Sequence, residues 1–242
     1  MKRERLDKVL ASMGLGTRKE VKQLVKEKRI EVDGAIATDP GMHVVAEQQE
    51  ISIDGEPLQY KRWVYVMLNK PPGFISATED PRHKTVVDLL PYEWAIKVHP
   101  VGRLDIDTEG LLLLTNDGQL SHSLLSPKKK VDKEYFARIE GTVTEEHVQL
   151  FANGVVLDDG YETLPAKLEI LSSGTTSEIR VTIMEGKFHQ VKRMFAAYGL
   201  EVIYLKRLRM GSLHLDESLE LGEFRELTDE ELRALGGGTQ SE

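Results

Sequence analysis

The order of its apolar runs is the feature that most restricts what this chain can fold into. Beyond residue 62 there are six runs typical of β-strands, and only two segments of helical periodicity, near 144–152 and 189–198, separate them. Strands that outnumber helices and do not alternate with them favour an α+β fold over a doubly wound parallel one. We therefore predict a mostly antiparallel, mixed sheet built from residues 64–68, 111–114, 134–139, 166–171, 178–184 and 202–209. The run 111–114 is also compatible with a turn of buried helix.

The first 60 residues have a different pattern. Apolar residues at helical spacing in 6–13 predict a helix that ends at Gly14. Thr17 followed by Glu20 predicts a capping box that begins a second helix, and short β-like segments lead into two Asp-Gly turns. We predict a small α/β domain at 1–60 that begins the chain, a polar linker at 56–62, a larger domain at 61–235 and a disordered tail at 236–242.

The charge of the chain is distributed unevenly. The net charge is −8, which by itself argues against a nucleic-acid partner. Residues 1–30 nevertheless hold ten Lys or Arg against four Asp or Glu. The cations of the second helix, which include Arg18, Lys19 and Lys22, lie largely off its apolar stripe and form a basic surface. This asymmetry indicates a nucleic-acid contact, and the alternative is a solvated, lysine-rich helix face.

Several classes of protein are excluded by what the sequence lacks. There is no cysteine, so disulfide scaffolds, thiolate zinc sites and cysteine nucleophiles are excluded. No apolar run approaches the roughly 20 residues of a membrane span, and the amphipathic N-terminal segment is unlike a signal peptide, so we expect a cytoplasmic protein. Without a Walker loop, GxGxxG, HExxH or GxSxG motif, chemistry based on ATP, nicotinamide or catalytic zinc has no support.

Three polar segments are candidates for chemistry. In 102–110, a carboxylate beside glycines precedes a buried element, where it can serve as nucleophile, general base or metal ligand. Segment 185–195 gathers cations at a helix start, which suits a phosphate or carboxylate partner, although His189 in it reads as a structural hydrogen bonder. In 128–133, four lysines lie beside Tyr135, a combination that suits phosphates and a stacked base. The alternatives are a polar loop, a basic helix face and a core tyrosine.

These segments carry a family resemblance. GRLDIDTEGLLLLTNDG at 102–118 resembles the central motif of the pseudouridine synthases that act on ribosomal RNA. Four further motifs of that branch occur in the family's order: MLNKPPGFISATEDP at 67–81, SHSLLSP at 121–127, KEY at 133–135 and EGKFHQVKRMFAAYGLEV at 185–202. The variants GRLDIDT, DGQLSHSLLSP and HQVKRMFAA most resemble the RsuA type. The basic first domain resembles the alpha-L RNA-binding domain of a small-subunit ribosomal protein. The resemblance covers residues 1–232.

The resemblance implies roles for individual residues. Asp105 would be the catalytic nucleophile, Arg103 would hold the flipped-out nucleotide or fill the space it leaves, and Tyr135 would stack on the target base. Lys192 would pair with the aspartate, and Leu208 would close the pocket. We expect the backbone phosphates to be bound by Arg18, Lys19, Lys22, Lys128, Lys129 and Lys130.

The implied activity is that of an isomerase, an intramolecular transferase of bacterial rRNA processing that acts as a monomer and needs neither cofactor nor metal. The RsuA type implies the uridine at position 516 of 16S rRNA as the target. Three alternatives stay open at this point: the same reaction on 23S rRNA, a non-catalytic ribosome-assembly factor of the same fold, and a metal-dependent RNA-cleaving enzyme using Asp105, Asp107 and Asp117.

Overall fold

The computed structural model describes residues 3–58 and 60–237. Its contacts group into two compact units. One is drawn from Met1–Val64 together with Leu90–Val98, and the other from Tyr65–Leu89 and His99–Glu242. The sequence did not predict that Leu90–Val98 would group with the N-terminal residues. The domain bounds of 1–60 and 61–235 stay a prediction.

The N-terminal unit joins short helices to a small four-stranded sheet of order β3-β2-β5-β6 and a two-stranded β1-β4 pair. Its elements are β1 (Glu4–Arg5), α1 (Leu6–Ser12), α2 (Arg18–Lys26), β2 (Ile30–Val32), β3 (Ala35–Ile36), β4 (His43–Val44), β5 (Ile51–Ile53), β6 (Glu56–Pro57) and α3 (Tyr92–Ala95). Leu6, Leu10, Val21 and Ile30 are fully buried and form part of its apolar core.

Local sequence explains most of these elements. Thr17 and Glu20 form the predicted reciprocal capping box at the start of α2. Asp33 and Asp54 adopt positive φ before glycines, as tight hairpin turns require, and join β2 to β3 and β5 to β6. The predicted linker 56–62 is wrong at its start, because β6 pairs with β5 and the Leu58 N–H donates to the Ile51 carbonyl.

The second unit is built on a nine-stranded sheet. Its strands are β7 (Tyr65–Lys70), β8 (His99–Pro100), β9 (Glu109–Thr115), β10 (Lys133–Glu140), β11 (Lys167–Ser172), β12 (Thr176–Ile183), β13 (Glu201–Met210), β14 (Leu213–His214) and β15 (Phe224–Glu226). Its helices are α4 (Gly118–Leu125), α5 (Glu145–Asn153), α6 (Gln190–Ala196) and α7 (Asp229–Ala234), with 3₁₀ turns at Val86–Leu89 and Pro127–Lys129.

The strand order β11-β12-β10-β13-β9-β7-β15 confirms the predicted α+β class and the mostly antiparallel, mixed sheet. Among the named strands in the described part, every pairing is antiparallel except that of β9 with β13. The run 111–114 is a buried strand, not a helix turn. Helices α4 and α7 and strand β15 were not predicted.

The parallel seam between β9 and β13 depends on Gly110. A Cβ at this position would lie 2.2 Å from the backbone carbonyl oxygen of Arg207, and φ is +98°. Only glycine allows both that conformation and that approach. The buried Arg207 guanidinium reinforces the seam, since its Nε donates to the Leu111 carbonyl at 2.7 Å.

The C-terminal residues of the described part close α7. The Gly237 N–H donates to the Leu232 carbonyl, so the ordered chain continues two residues into the tail predicted to be disordered, and 238–242 lie outside the described residues. No helix between residues 3 and 237, Gln59 excepted, combines the length and apolar character that crossing a bilayer demands.

Candidate active site

Asp105 lies in the loop that connects β8 to β9. Its carbonyl accepts a hydrogen bond from the Thr108 N–H at 3.1 Å, which closes a tight turn over 105–108. The carboxylate is 25% exposed, so it is open to a ligand while much of it is shielded from water. The sequence predicts this arrangement, in which a loop carries a carboxylate just before a buried element.

Two buried side chains form hydrogen bonds with the backbone of this loop and its neighbours. Lys70, at the end of β7, is fully buried and its Nζ donates to the carbonyls of Pro71, Ile106 and Thr108 at 3.0, 3.3 and 2.9 Å. Ser76 donates through Oγ to the Leu104 carbonyl and accepts from the Leu104 N–H. The chain entering and leaving Asp105 is thereby held by buried hydrogen bonds.

Burial also changes the acidity of Lys70. Loss of water around the ammonium lowers its pKa to about 8, while the nearby carboxylates of Asp107, Asp105 and Glu109 oppose the shift. At neutral pH most of the Lys70 side chain is therefore charged, next to the acidic side chains of this loop.

Lys192 on α6 meets the loop from the other side. Its Nζ lies 3.7 Å from Asp105 Oδ2, an ion-pair distance, but it donates hydrogen bonds of 2.7 Å to both oxygens of Asp107. Lys192 therefore forms an ion pair with Asp105, and Asp107, proposed above only as a ligand in the metal-dependent alternative, is the closer partner. Burial opposes ionisation of Asp107, yet the Lys192 bonds and charge outweigh it and lower the Asp107 pKa.

His189 is a neighbour of Asp105 that the sequence reading treated as structural. Its Nε2 lies 3.6 Å from Asp105 Oδ1, and its backbone is left-handed, with φ of +48° immediately before α6. Asp105 is thus flanked by an imidazole on one oxygen and an ammonium on the other. A histidine in EGKFHQVKR was visible in the sequence, but its distance to residue 105 was not.

A cavity of about 70 Å³, open to solvent, lies beside Asp105. Tyr135, 8% exposed on β10, lines it together with Arg103 from the Asp105 loop. The remaining lining comes from Leu104, Thr108, Ile183, Gly186, Lys187, His189, Gln190, Val191 and Leu205. Asp105, Arg103 and Tyr135, which the family resemblance assigned to one site, therefore line the same cavity. Their roles stay a prediction.

Leu208 does not line this cavity. The residue of β13 that does is Leu205, which faces the same side as the buried Ala137 and Tyr135 of β10. Leu208 falls at a register irregularity, because Glu134 pairs with Arg209 while Tyr135 pairs with Arg207. A bulge of this kind shifts side-chain direction by one residue and cannot be read from alternation.

Hydrogen bonds of Glu185 and ion pairs of Arg193 hold the segment 185–189 and the start of α6. Glu185 accepts from the Leu164 N–H and the Gln190 amide through Oε1, and from the Tyr161 hydroxyl through Oε2. Arg193 on α6 forms ion pairs with the exposed Asp158 and Asp159. These contacts tie the hairpin at 154–164 to the start of α6, and the sequence analysis did not identify them.

The predicted phosphate-binding cations belong to two different units. Arg18, Lys19 and Lys22 are exposed on α2, with Lys22 Nζ 4.0 Å from Asp7. Lys128, Lys129 and Lys130 are exposed in and after the 3₁₀ turn that follows α4. None of the six lines the cavity.

The structure does not group the three aspartates that the metal-dependent alternative requires. Asp117 caps α4 by accepting from the N–H groups of Gln119 and Leu120, and it also accepts from the buried Tyr65 hydroxyl. Within the described ranges, no three His, Asp or Glu side chains are grouped so as to share a metal ion. Asp105, Asp107 and Asp117 therefore do not form the joint site that a metal-dependent RNA-cleaving enzyme would need.

Comparison with known families agrees with this geometry. A family model described as RNA pseudouridylate synthase matches residues 64–197, and a model described as S4 domain matches residues 4–51. The first match contains Asp105, Tyr135 and Lys192, and the second contains the basic helix α2. The S4 match confirms the resemblance of the first domain to an RNA-binding domain.

Relatives extend the similarity to nearly the whole chain. An uncharacterized RNA pseudouridine synthase, YtzG, of Bacillus subtilis (strain 168) is 53% identical over 96% of this chain and 98% of its own. Ribosomal small subunit pseudouridine synthase A of Yersinia pestis is 42% identical with the same coverages, and ribosomal large subunit pseudouridine synthase B of B. subtilis is 40% identical over 96% and 95%.

A solved structure shows the same fold. The crystal structure of a pseudouridylate synthase aligns with a TM-score of 0.68 and 39% identity over 96% of this chain and 99% of that one. The similarity therefore includes both units, the loop of Asp105 and the cavity beside it. On these grounds the chain belongs to the RNA pseudouridylate synthase family, whose members are isomerases acting on RNA.

Proposed function

We propose that the protein isomerises one uridine of 16S ribosomal RNA to pseudouridine, at the site corresponding to position 516. The observation that carries the proposal is Asp105 at the edge of an open cavity, with Tyr135 in the same wall and Lys192 and His189 within 4 Å of its oxygens. Nearly full-length similarity to small-subunit synthase A supports the choice of rRNA.

The reaction breaks the N1–C1′ bond, turns the base and joins C5 to C1′, and C5 loses a proton while N1 gains one. Nothing is oxidised and no group is donated, so a positioned carboxylate suffices. An ionised Asp105 can attack C1′, add to C6 or take a ribose proton on a glycal route, and all three begin with the carboxylate free of a proton. The Lys192 ammonium lies 3.7 Å from Asp105 Oδ2.

The target base must leave its stack to reach Asp105. Tyr135, nearly buried in the cavity wall, offers a ring on which the flipped base stacks. Arg103 is exposed at the same cavity and would hold the flipped nucleotide or fill its place. Exposed lysines at 128–130 and the cations of α2 would bind backbone phosphates.

We propose further that the protein acts as a monomer. An rRNA substrate would place it in the cytoplasm. The similarity to large-subunit synthase B favours one rival, the same reaction on 23S rRNA, because its identity is only slightly lower.

The decisive experiment maps pseudouridine on both rRNAs in a strain that lacks the gene, before and after re-expression of the wild-type chain or of Asp105→Ala. We expect one 16S site to lose pseudouridine on deletion and to regain it only with the wild type. Loss confined to 23S rRNA would overturn the choice of substrate. Unchanged modification of both rRNAs, with RNA binding retained, would favour the assembly-factor alternative.

A further inference from the structure

One aromatic ring beside the cavity is not used by the reaction proposed above. Phe188 is 74% exposed, more than any other large apolar side chain in the described part of the chain. Its ring is stacked on His189, with centroids 3.8 Å apart and planes inclined by 18°. An apolar ring held flat and open to water is typical of a contact surface, since exposure of that area is unfavourable.

The position of this pair is set by the active site. His189 lines the cavity, and its Nε2 is 3.6 Å from Asp105. Phe188 does not line the cavity, so its open face lies outside the space available to the target base. The left-handed backbone of His189 and the start of α6 fix where the two rings lie relative to Asp105.

Lys187 adds a cation to the same edge. It lines the cavity, and in the described residues no carboxylate oxygen lies within 4.0 Å of its Nζ. Its ammonium instead lies 4.3 Å from the centre of the Tyr161 ring, which holds the side chain without neutralising it. Tyr161 is itself bonded to Glu185, so the ring is fixed.

We infer that Lys187, Phe188 and His189 form a subsite for the nucleotide adjacent to the target uridine, with its base stacked on Phe188 and its phosphate bound by Lys187. The inference rests on the proposed function. Flipping a nucleotide removes a stacking partner from its neighbour, and an exposed ring beside the cavity replaces that partner. An uncompensated ammonium one residue away suits the phosphate that links the two nucleotides.

The test uses an rRNA fragment with 2-aminopurine on the 5′ or on the 3′ side of the target. We expect the wild type to quench one of the two probes by stacking, Phe188→Tyr to retain the quenching, and Phe188→Ala to lose it. In isomerisation assays, Phe188→Ala should raise KM about 10-fold with kcat within about 2-fold. Lys187→Gln should raise KM and reduce the salt dependence of binding by about one phosphate contact.

Tyr92→Ala is the matched control, because Tyr92 is also a largely exposed aromatic and belongs to the other unit. It should leave quenching and KM unchanged. Equal quenching by wild type and Phe188→Ala at both positions, on an RNA that is isomerised, would overturn the subsite while leaving the proposed function standing. Absence of pseudouridine with the wild type would instead overturn the proposed function.

Discussion

The two sides of the cavity are held in different ways. The Asp105 loop is held by Lys70 and Ser76, which are buried and bonded to backbone carbonyl and amide groups. The segment 185–189 is exposed over 186–188 and is held mainly by the hydrogen bonds of Glu185. Helix α6 packs through the buried Val191, Met194 and Phe195, and its Arg193 adds surface ion pairs such as that with Asp158, a carboxylate 78% exposed.

Buried hydrogen bonds are not screened by water, whereas exposed ion pairs contribute only about 0–1 kcal/mol. The proposed nucleophile therefore lies in a loop held by buried bonds. The exposed side chains of Lys187 and Phe188, together with the surface ion pairs of Arg193, form the more adjustable side of the cavity. The difference separates positioning for chemistry from adaptation to a substrate, and four measurements test it.

The largest effect is expected at the carboxylate itself. Asp105→Asn keeps the shape of the side chain but removes the nucleophile, and we expect single-turnover isomerisation to slow by at least about 1,000-fold. Asp107→Asn is the comparator, because it removes the closer partner of Lys192 and leaves Asp105 intact. It should cost about 10-fold. Equal losses would make the two carboxylates functionally equivalent and defeat the assignment of Asp105.

A second measurement follows the buried ammonium through pH. The pKa of Lys70 is lower in the folded chain than in the unfolded one, so the unfolded state binds more protons above about pH 8. The free energy of unfolding of the wild type should therefore rise, relative to that of Lys70→Gln, by about 3 kcal/mol between pH 7 and 10. Urea unfolding at both pH values measures it. Parallel pH curves would mean that Lys70 is not buried as an ammonium.

Ser76→Ala tests whether the bonds of Ser76 to Leu104 position Asp105 or only stabilise the fold. Loss of both bonds to Leu104 should lower kcat about 10-fold, because the residue before Asp105 is released. Ser177→Ala is a matched control, since Ser177 is also buried and bridges a backbone N–H and carbonyl, those of Val143 and Gly141, away from the cavity lining. Both variants should lose similar stability in urea, and a similar fall in kcat for both would contradict the positioning role.

The smallest effect is expected on the adjustable side. Arg193→Gln removes the ion pairs with Asp158 and Asp159, and kcat/KM should fall by less than about 5-fold. The deficit should shrink further at high salt, where the wild-type pairs are themselves screened. A fall as large as that of Ser76→Ala would show that surface contacts fix this side as firmly as buried ones fix the other.

Elements with a strong local pattern were predictable from the sequence, and contacts between distant residues were not. Periodicity located the six principal strands, and the Thr17–Glu20 spacing located the start of α2. Helix α7 was missed, although Thr228 and Glu231 form a capping box of the same kind. The resemblance placed Asp105, Arg103 and Tyr135 correctly at one cavity.

The preference of Lys192 for Asp107 and the proximity of His189 to Asp105 depend on how a loop and a helix over 80 residues apart approach each other. No local pattern encodes that approach. Leu208, which the family resemblance assigned to the pocket, does not line the cavity, and it falls at a register shift in β13 that depends on the neighbouring strand β10.

The seam at Gly110 has a consequence for how the enzyme is made. Strand β9 meets its parallel neighbour only when residues 206–207 are present, 96 positions further along the chain for the Arg207 to Leu111 bond. Contacts of such long sequence separation form late, because a long loop must close first. A nascent chain would therefore carry Asp105 and Tyr135 well before residues 206–207 complete the seam, and the isomerase would become active only once nearly all of it had left the ribosome.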